Sequence, residues 1–282
     1  IPTGPNSYTV IATNDGGVFY STNNGNSWES RNNGYNVTQF YDADKHPVFD
    51  SFLGGTQDNG TNLSPQNSDA ADSWDEVIGG DGFECAWNKV DGNIVYGSLY
   101  YSRIFKSYDG GNNFQALGNG LPESGIFYTS MAIAPANPDV LLVVGSGSTI
   151  FRSPNGGDSW ESVTGDFNSS RKMMEFSVAN SDIVWATSTS SGINISTDNG
   201  RHFNGVSTPP AAPNSNVLGI GTHPSSDSTA FVTFGVSGSP KVYRTEDRGQ
   251  SWTDLTNNLP DVPVFDLIVM PFDSARYWIG TD

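Results

Sequence analysis

The chain of 282 residues carries 13 Lys and Arg against 30 Asp and Glu, a net charge of −17. A surface this acidic repels phosphate backbones and anionic headgroups, which argues against nucleic acid and against membrane surfaces as partners, and no apolar run is long enough for membrane insertion. Charged residues make up 15% of the chain, beside 32 glycines and 12% aromatics, a balance that predicts short strands joined by tight turns rather than helices or disorder.

In chain order, Ile1, Pro2 and Thr3 begin abruptly, as a processed or excised segment would. Tyr8–Asp15 reads as a strand, and an eight-residue segment follows it, Ser21–Trp28 (STNNGNSW). The segment returns at Ser107–Phe114 (SYDGGNNF), Ser153–Trp160 (SPNGGDSW), Ser196–Phe203 (STDNGRHF) and Thr245–Trp252 (TEDRGQSW), giving the pattern S/T-x-D/N-x-G-x-x-W/F. A degenerate copy lies near Ser64, Pro65, Gln66 and Asn67, with Trp74 as its tail. A period of about 45 residues matches one four-stranded propeller blade. With the strands of a blade lettered A to D in chain order, Met131–Asp139 with Val140–Gly145, and Val217–Pro224 with Phe231–Phe234, read as A and B strands apolar enough to be buried on both faces. Strand C leads into each repeated turn and D leaves it.

The expected fold class is therefore all-β, a β-propeller of four-stranded blades. Tyr8–Asp15 is a B strand, so the first blade lacks A; Val264–Met270 and Arg276–Asp282 supply only A and B of a last blade. The strand count allows six to seven blades. Seven with the last incomplete is favoured, and six closed blades with a spare strand is the alternative. Residues 1–282 are expected to form a single domain, a piece of a larger multidomain chain.

The repeated turn has a chemical logic. The Asp or Asn carboxyl or amide oxygen (Asn23, Asp109, Asn155, Asp198, Asp247) can accept backbone N–H bonds inside the reversal. The Gly supplies a positive φ. The terminal ring (Trp28, Phe114, Trp160, Phe203, Trp252) can pack between blades. These residues are read as structural. The sole cysteine, Cys85, lies in an apolar-alternating stretch and reads as a buried thiol. His46, His202 and His223 have no metal-ligand spacing, so zinc is not expected.

These turns resemble the Asp boxes (BNR repeats) of sialidases, sortilin-type (VPS10) receptors, photosystem assembly propellers and xyloglucanase-like glycoside hydrolases. A narrower resemblance rests on Gly54–Thr61 (GGTQDNGT), Trp74, Gly79–Phe83 (GGDGF) and Asn93–Tyr96. That order is similar to the secreted sortilin-like, glycosyl-hydrolase-like propeller proteins of Bacteroidetes and related bacteria, which often carry further domains and a type IX secretion signal. The resemblance implies a secreted or cell-surface location and a binding or scaffold role toward a polysaccharide, a cell-surface protein or other domains of the parent chain.

Two acidic, glycine-rich segments break the repeat and mark the candidate site. Gln57, Asp58 and Asn59 follow a B strand, while Asp81 precedes an A strand with Glu84 just beyond it. In a propeller the B–C and D–A loops share one face, so these residues can converge there as a ligand-binding set. Paired carboxylates suit glycoside hydrolysis or Ca²⁺ binding. The alternative function is accordingly a glycoside hydrolase module of the xyloglucanase-like type, with Asp58, Asp81 and Asp15 as catalytic candidates and Asp58 and Asp81 as possible Ca²⁺ ligands. No other cofactor is expected. Tyr100, Tyr101, Phe127 and Tyr128 fall in loops or strand edges, where rings either pack between blades or stack on sugars and protein partners. Arg152 precedes a repeated turn and reads as a strand residue, not as part of a sialidase arginine triad.

Overall fold

The computed structural model describes residues 2–4, 7–14, 17–31, 38–69, 73–118, 120–121, 126–146, 149–165, 173–187 and 192–281. These residues form strands and turns and contain no helix. Asp15, a catalytic candidate, lies outside them.

The strands assemble into a seven-bladed β-propeller whose last blade is incomplete. Blade 1 has three strands, Val10–Asn14, Gly17–Ser21 and Glu29–Ser30. Five four-stranded antiparallel blades follow, the fourth and fifth joined along their outer strands by a short parallel pairing of Thr164 with His202 and Gly165 with Phe203. Blade 2 is Phe40–Lys45, Phe52–Thr56, Thr61–Leu63 and Asp75–Ile78; blade 3 is Ala86–Trp87, Val95–Leu99, Arg103–Ser107 and Gln115–Leu117. Blade 4 is Met131–Ile133, Leu141–Val144, Ile150–Ser153 and Glu161–Gly165; blade 5 is Met174–Phe176, Val184–Thr187, Ile193–Ser196 and His202–Gly205. Blade 6 is Gly219–His223, Ser226–Thr233, Val242–Thr245 and Thr253–Asp254. Blade 7 is the hairpin Val264–Met270 with Asp273–Thr281. A small hairpin, Pro2–Gly4 with Ser7–Tyr8, precedes the ring. The six-bladed alternative would set Val264–Met270 beside Val10–Asn14; instead it pairs with Asp273–Thr281, and the two sheets are separate.

The A strands of successive blades lie side by side and line the centre. The B strands carry the core: Leu141, Leu142, Val143 and Val144 are all fully buried because each strand has a blade on both sides. Core clusters form between blades, such as Leu142 and Ala132 of blade 4 with Val184, Met174 and Phe203 of blade 5.

The repeated turn works as its residue types require. Ser21, Ser107, Ser153, Ser196 and Thr245 each accept with their hydroxyl the amide of the residue four places on, at 2.8–3.0 Å. The Oδ1 atoms of Asn23, Asp109, Asn155, Asp198 and Asp247 each accept the amide four places beyond themselves, also at 2.8–3.0 Å. The residue before strand C ends is used between blades. Lys106 Nζ donates to the Gly156 carbonyl at 2.9 Å. Arg152, 2% exposed, donates to the Asn199 carbonyl, the Asn199 side chain and Glu161 at 2.8–3.0 Å. Arg152 is thus a buried staple between blades 4 and 5, which accounts for an Arg beside a turn without any substrate carboxylate.

The terminal ring of each turn packs on the preceding blade. Phe114 packs on the cluster that holds Leu53, Trp160 on the cluster that holds Tyr96 and Ile104, Phe203 shares a cluster with Leu142, and Trp252 meets Trp185. Trp28 departs from the expected pattern and stays 45% exposed, because the blade that precedes blade 1 in the ring is the two-stranded blade 7. The degenerate copy near Ser64 departs too. Ser64 Oγ accepts the Phe52 amide at 2.7 Å, and Trp74 packs on Phe40 and Phe52 of its own blade, at ring distances of 5.6 and 6.3 Å.

Candidate functional site

The two repeat-breaking segments meet. Residues 79–83 cross the turn at 56–60, with the Gly82 amide on the Thr56 carbonyl at 3.0 Å and the Gly60 amide on the Gly80 carbonyl at 2.9 Å. The crossing explains two of the glycines. A Cβ on Gly55 would fall 1.9 Å from the Phe83 carbonyl oxygen, and one on Gly82 would fall 2.6 Å from the Gly60 carbonyl oxygen. Backbone faces backbone here, and a methyl group has nowhere to go. Gly82→Ala is therefore expected to cost about 1–3 kcal/mol through forced backbone shifts, read as a lowered denaturation midpoint; an unchanged midpoint would contradict the crossing.

Asp58 and Asp81 are brought together as expected, through a backbone contact. Asp81 Oδ1 accepts the Asp58 amide at 3.0 Å. Asp58 takes a left-handed backbone, φ 59°, which Asp tolerates better than most residues. Gln57 Oε1 accepts the Tyr41 hydroxyl at 2.9 Å, and Asn59 Nδ2 donates to the Gln57 carbonyl at 3.1 Å. Among the described residues no group of three or more His, Cys, Asp or Glu is placed to hold a metal ion.

Glu84 has a different position from its four companions. Its Oε1 accepts the Tyr128 hydroxyl at 3.1 Å, and its Oε2 accepts the Ser130 hydroxyl at 3.2 Å and the Met131 amide. Only 9% exposed, it braces the start of blade 4. Burial, then repulsion from Asp42, pushes its carboxyl well above the usual range. Strand A of blade 2 repeats the device toward blade 3: Asp42 accepts the Cys85 amide at 2.9 Å, and Asp44 the Trp87 amide at 2.7 Å. Asp44 also pairs with Lys89. Cys85 itself is buried, as expected, and burial raises its thiol pKa. The channel therefore carries Asp42, raised by burial to about 6, Glu175 of blade 5, raised by burial to about 8, and Asp266 of blade 7, which is still open to solvent on its strand and is raised by partial desolvation. Asp42, Asp44, Glu175 and Asp266 were not among the residues expected from the sequence; at Glu175 and Asp266 the available signal was a lone carboxylate inside an otherwise apolar A strand.

Beside Asp58 and Asp81 stands a cluster of rings. Phe83, fully buried, is its hub, 4.8 Å from Tyr41, 5.2 Å from Tyr128 and 5.4 Å from Phe127 between centroids. Phe127 stacks on Tyr100 at 6.1 Å and 9°, and Tyr101 meets both. Tyr101 and Phe127 are each 48% exposed. All these rings come from B–C or D–A loops or the adjoining strand A, on one face. The turn that carries Tyr101 is held in an unfavourable conformation: Tyr101 and Ser102 both have left-handed φ, 64° and 62°. Blade 4 imposes it. The Ser102 amide donates to Thr129 Oγ1 at 2.9 Å, its hydroxyl to the Val144 carbonyl at 2.6 Å, and the Tyr101 amide to the Ile126 carbonyl at 3.2 Å.

No protein-family model matches this chain, and no curated protein matches it. Solved structures do. An ancestral GH74 enzyme superposes with a TM-score of 0.67 at 20% identity, over 84% of this chain and 33% of that one. This chain thus spans about a third of that enzyme's length. A structure described as YCF48 bound to D1 peptide superposes with a TM-score of 0.62 at 16% identity, over 94% of this chain and 82% of the other. YCF48 from Cyanidioschyzon merolae gives 0.61 at 16% identity, over 98% and 89%. At such identities the similarity is one of fold, the β-propeller.

Proposed function

We propose that this chain is a non-catalytic binding module for a neutral polysaccharide, and that the ligand lies on the face formed by blades 2 to 4. The observation that carries the reading is the pair of half-exposed rings, Tyr101 and Phe127, set on a rigid frame beside Gln57, Asp58, Asn59 and Asp81. Sugar rings stack on aromatic faces, and their hydroxyls donate to carboxylate and amide oxygens. An acidic rim disfavours an anionic ligand. Ca²⁺ held by Asp58 and Asp81 would sit at the same turn and could bridge to hydroxyls.

On this reading the repeated turns are Asp boxes of the BNR type, and residues 1–282 are one propeller domain of a larger sortilin-like protein, secreted through a type IX route to the cell surface. The resemblance of the Gly54–Thr61 and Gly79–Phe83 segments supports it. The peptide-bound YCF48 structure supports a protein or peptide as the rival ligand.

The test is a binding panel of neutral polysaccharides, with and without Ca²⁺, against wild type, Tyr101→Ala and Phe127→Ala. Each substitution is expected to weaken binding about tenfold or more, as central interface rings do. Binding by both variants at wild-type strength would place the site elsewhere.

A second reading, a glycoside hydrolase module, draws on the meeting of Asp58 and Asp81 at one turn and on the GH74 fold likeness. It requires a carboxyl pair about 5–5.5 Å or 6.5–9.5 Å apart across a bound sugar. Asp81 is committed to the Asp58 amide, which favours the binding role. Release of reducing ends by wild type, abolished in Asp81→Asn, would decide for the hydrolase.

A further inference from the structure

Among the described residues every lysine and arginine but one holds a carboxylate or carbonyl acceptor. The exception is Arg103, the first residue of strand C in blade 3. Its neighbour Ile104 faces blade 4, in the cluster with Met131 and Leu141, so strand alternation turns Arg103 toward blade 2. There its Cζ stands 5.7 Å from the Phe105 ring centroid and 6.0 Å from that of Tyr100. Tyr100 stacks on Phe127, and the loop that carries Asp81 lies against it: a Cβ on Gly80 would sit 3.8 Å from the Tyr100 ring. Arg103 therefore stands at the edge of the ring cluster on the candidate face. Carboxylates outnumber cations in this chain by 30 to 13, so an acceptor for Arg103 was not scarce.

We propose that Arg103 sets the specificity of this face by donating two parallel N–H bonds to a pair of neighbouring hydroxyl oxygens on the sugar that stacks on Tyr101 and Phe127. The inference rests on the polysaccharide reading of the face and names the feature that a bound sugar must carry, a free vicinal diol. A hydroxyl is donor and acceptor at once, whereas a carboxylate only accepts. Asp58 and Asp81 thus serve the protons of a sugar and leave its lone pairs unserved. The planar guanidinium fork supplies the missing donors and matches two oxygens side by side. Its place over the Tyr100 ring holds the fork ready, so less freedom is lost when a ligand arrives. A carboxylate ligand would meet the same fork, but beside Asp58 and Asp81 and against a net charge of −17, which favours the neutral diol.

The experiment is calorimetric titration with neutral glucose, mannose and galactose oligosaccharides, intact and with single hydroxyls removed, against wild type, Arg103→Met, Arg103→Lys and Tyr101→Ala, with a thermal melt of each. Wild type is expected to lose affinity about tenfold when either hydroxyl of the pair is removed. Arg103→Met is expected to bind the intact oligosaccharide about tenfold more weakly than wild type, and the intact and deoxygenated forms equally. Arg103→Lys keeps the charge, lacks the fork and should resemble Arg103→Met. Both Arg103 variants should melt with wild type, because Arg103 has no acceptor within the protein to lose. The same discrimination between intact and deoxygenated sugar in wild type and Arg103→Met would overturn the assignment; weakened binding by Tyr101→Ala in the same panel would then leave the ring platform and the polysaccharide reading standing. Tighter binding of a polyuronate than of any neutral oligosaccharide, abolished in Arg103→Met, would overturn the diol and give the guanidinium to a carboxylate.

Discussion

Trp252→Ala is expected to destabilise the fold by about 3–5 kcal/mol, the usual cost of emptying a large aromatic site in a core. The ring is 8% exposed and fills the gap between blades 5 and 6 against Trp185, Ile195 and Tyr243. Its Nε1 also donates to the Ser207 carbonyl at 2.8 Å, an acceptor that the variant leaves without this donor. For a chain of this size the loss corresponds to a fall in Tm on the order of 10 °C. Trp28→Ala provides the contrast, since half of that ring already meets solvent and its removal empties no cavity. Calorimetry of the two variants side by side checks both statements. Equal melting shifts would mean that the turn rings do not act through the preceding blade.

The propeller was legible because its instructions are local and repeated. Each of the turns at 21, 107, 153, 196 and 245 writes its own hydroxyl and carboxyl or amide acceptors, glycine and ring within eight residues. The count of three, five times four and two strands followed from where the repeats fall. The meeting of residues 57–60 with 79–83 was legible as well, because a glycine needed for close backbone approach is conspicuous where it interrupts a repeat. What the sequence could not show depends on the angle between blades. Glu84 stands in the same short segment as Asp81, yet one side chain turns inward to blade 4 and the other outward to the Asp58 amide. The exposure of Trp28 follows from which blade sits before it in the ring, and nothing within its own turn carries that information. The channel carboxylates are far apart in sequence, at 42, 84, 175 and 266, and only closure of the A strands into one wall brings them into each other's field.

These carboxylates set the second large effect, a loss of stability as pH rises. Glu175 lies on strand A of blade 5, where burial first, then repulsion from Asp266, Asp42 and Asp44, raises its carboxyl from 4.5 to about 8, with Lys89 opposing. A group that holds its proton more tightly folded than unfolded makes the folded state the more protonated one between the two pKa values, so stability falls with rising pH across that window. Asp42, at about 6, and Glu84, well above the usual range, act in the same direction. Asp109 and Asp198 act oppositely. Hydrogen bonds inside their turns bring both to about 2, Asp198 against a desolvation cost, and their contribution is present above an unfolded value of 3.8 and lost as pH falls toward 2. The melting temperature should therefore peak between roughly pH 4 and 5 and decline to pH 8. Glu175→Gln keeps the shape and a hydrogen-bonding group but cannot ionise. The variant is expected to melt above wild type at pH 8 and close to it at pH 4.5, so that its pH profile is flatter. Parallel profiles for the two proteins would show that Glu175 ionises as freely in the fold as out of it, and that the channel wall does not hold its carboxyl away from water.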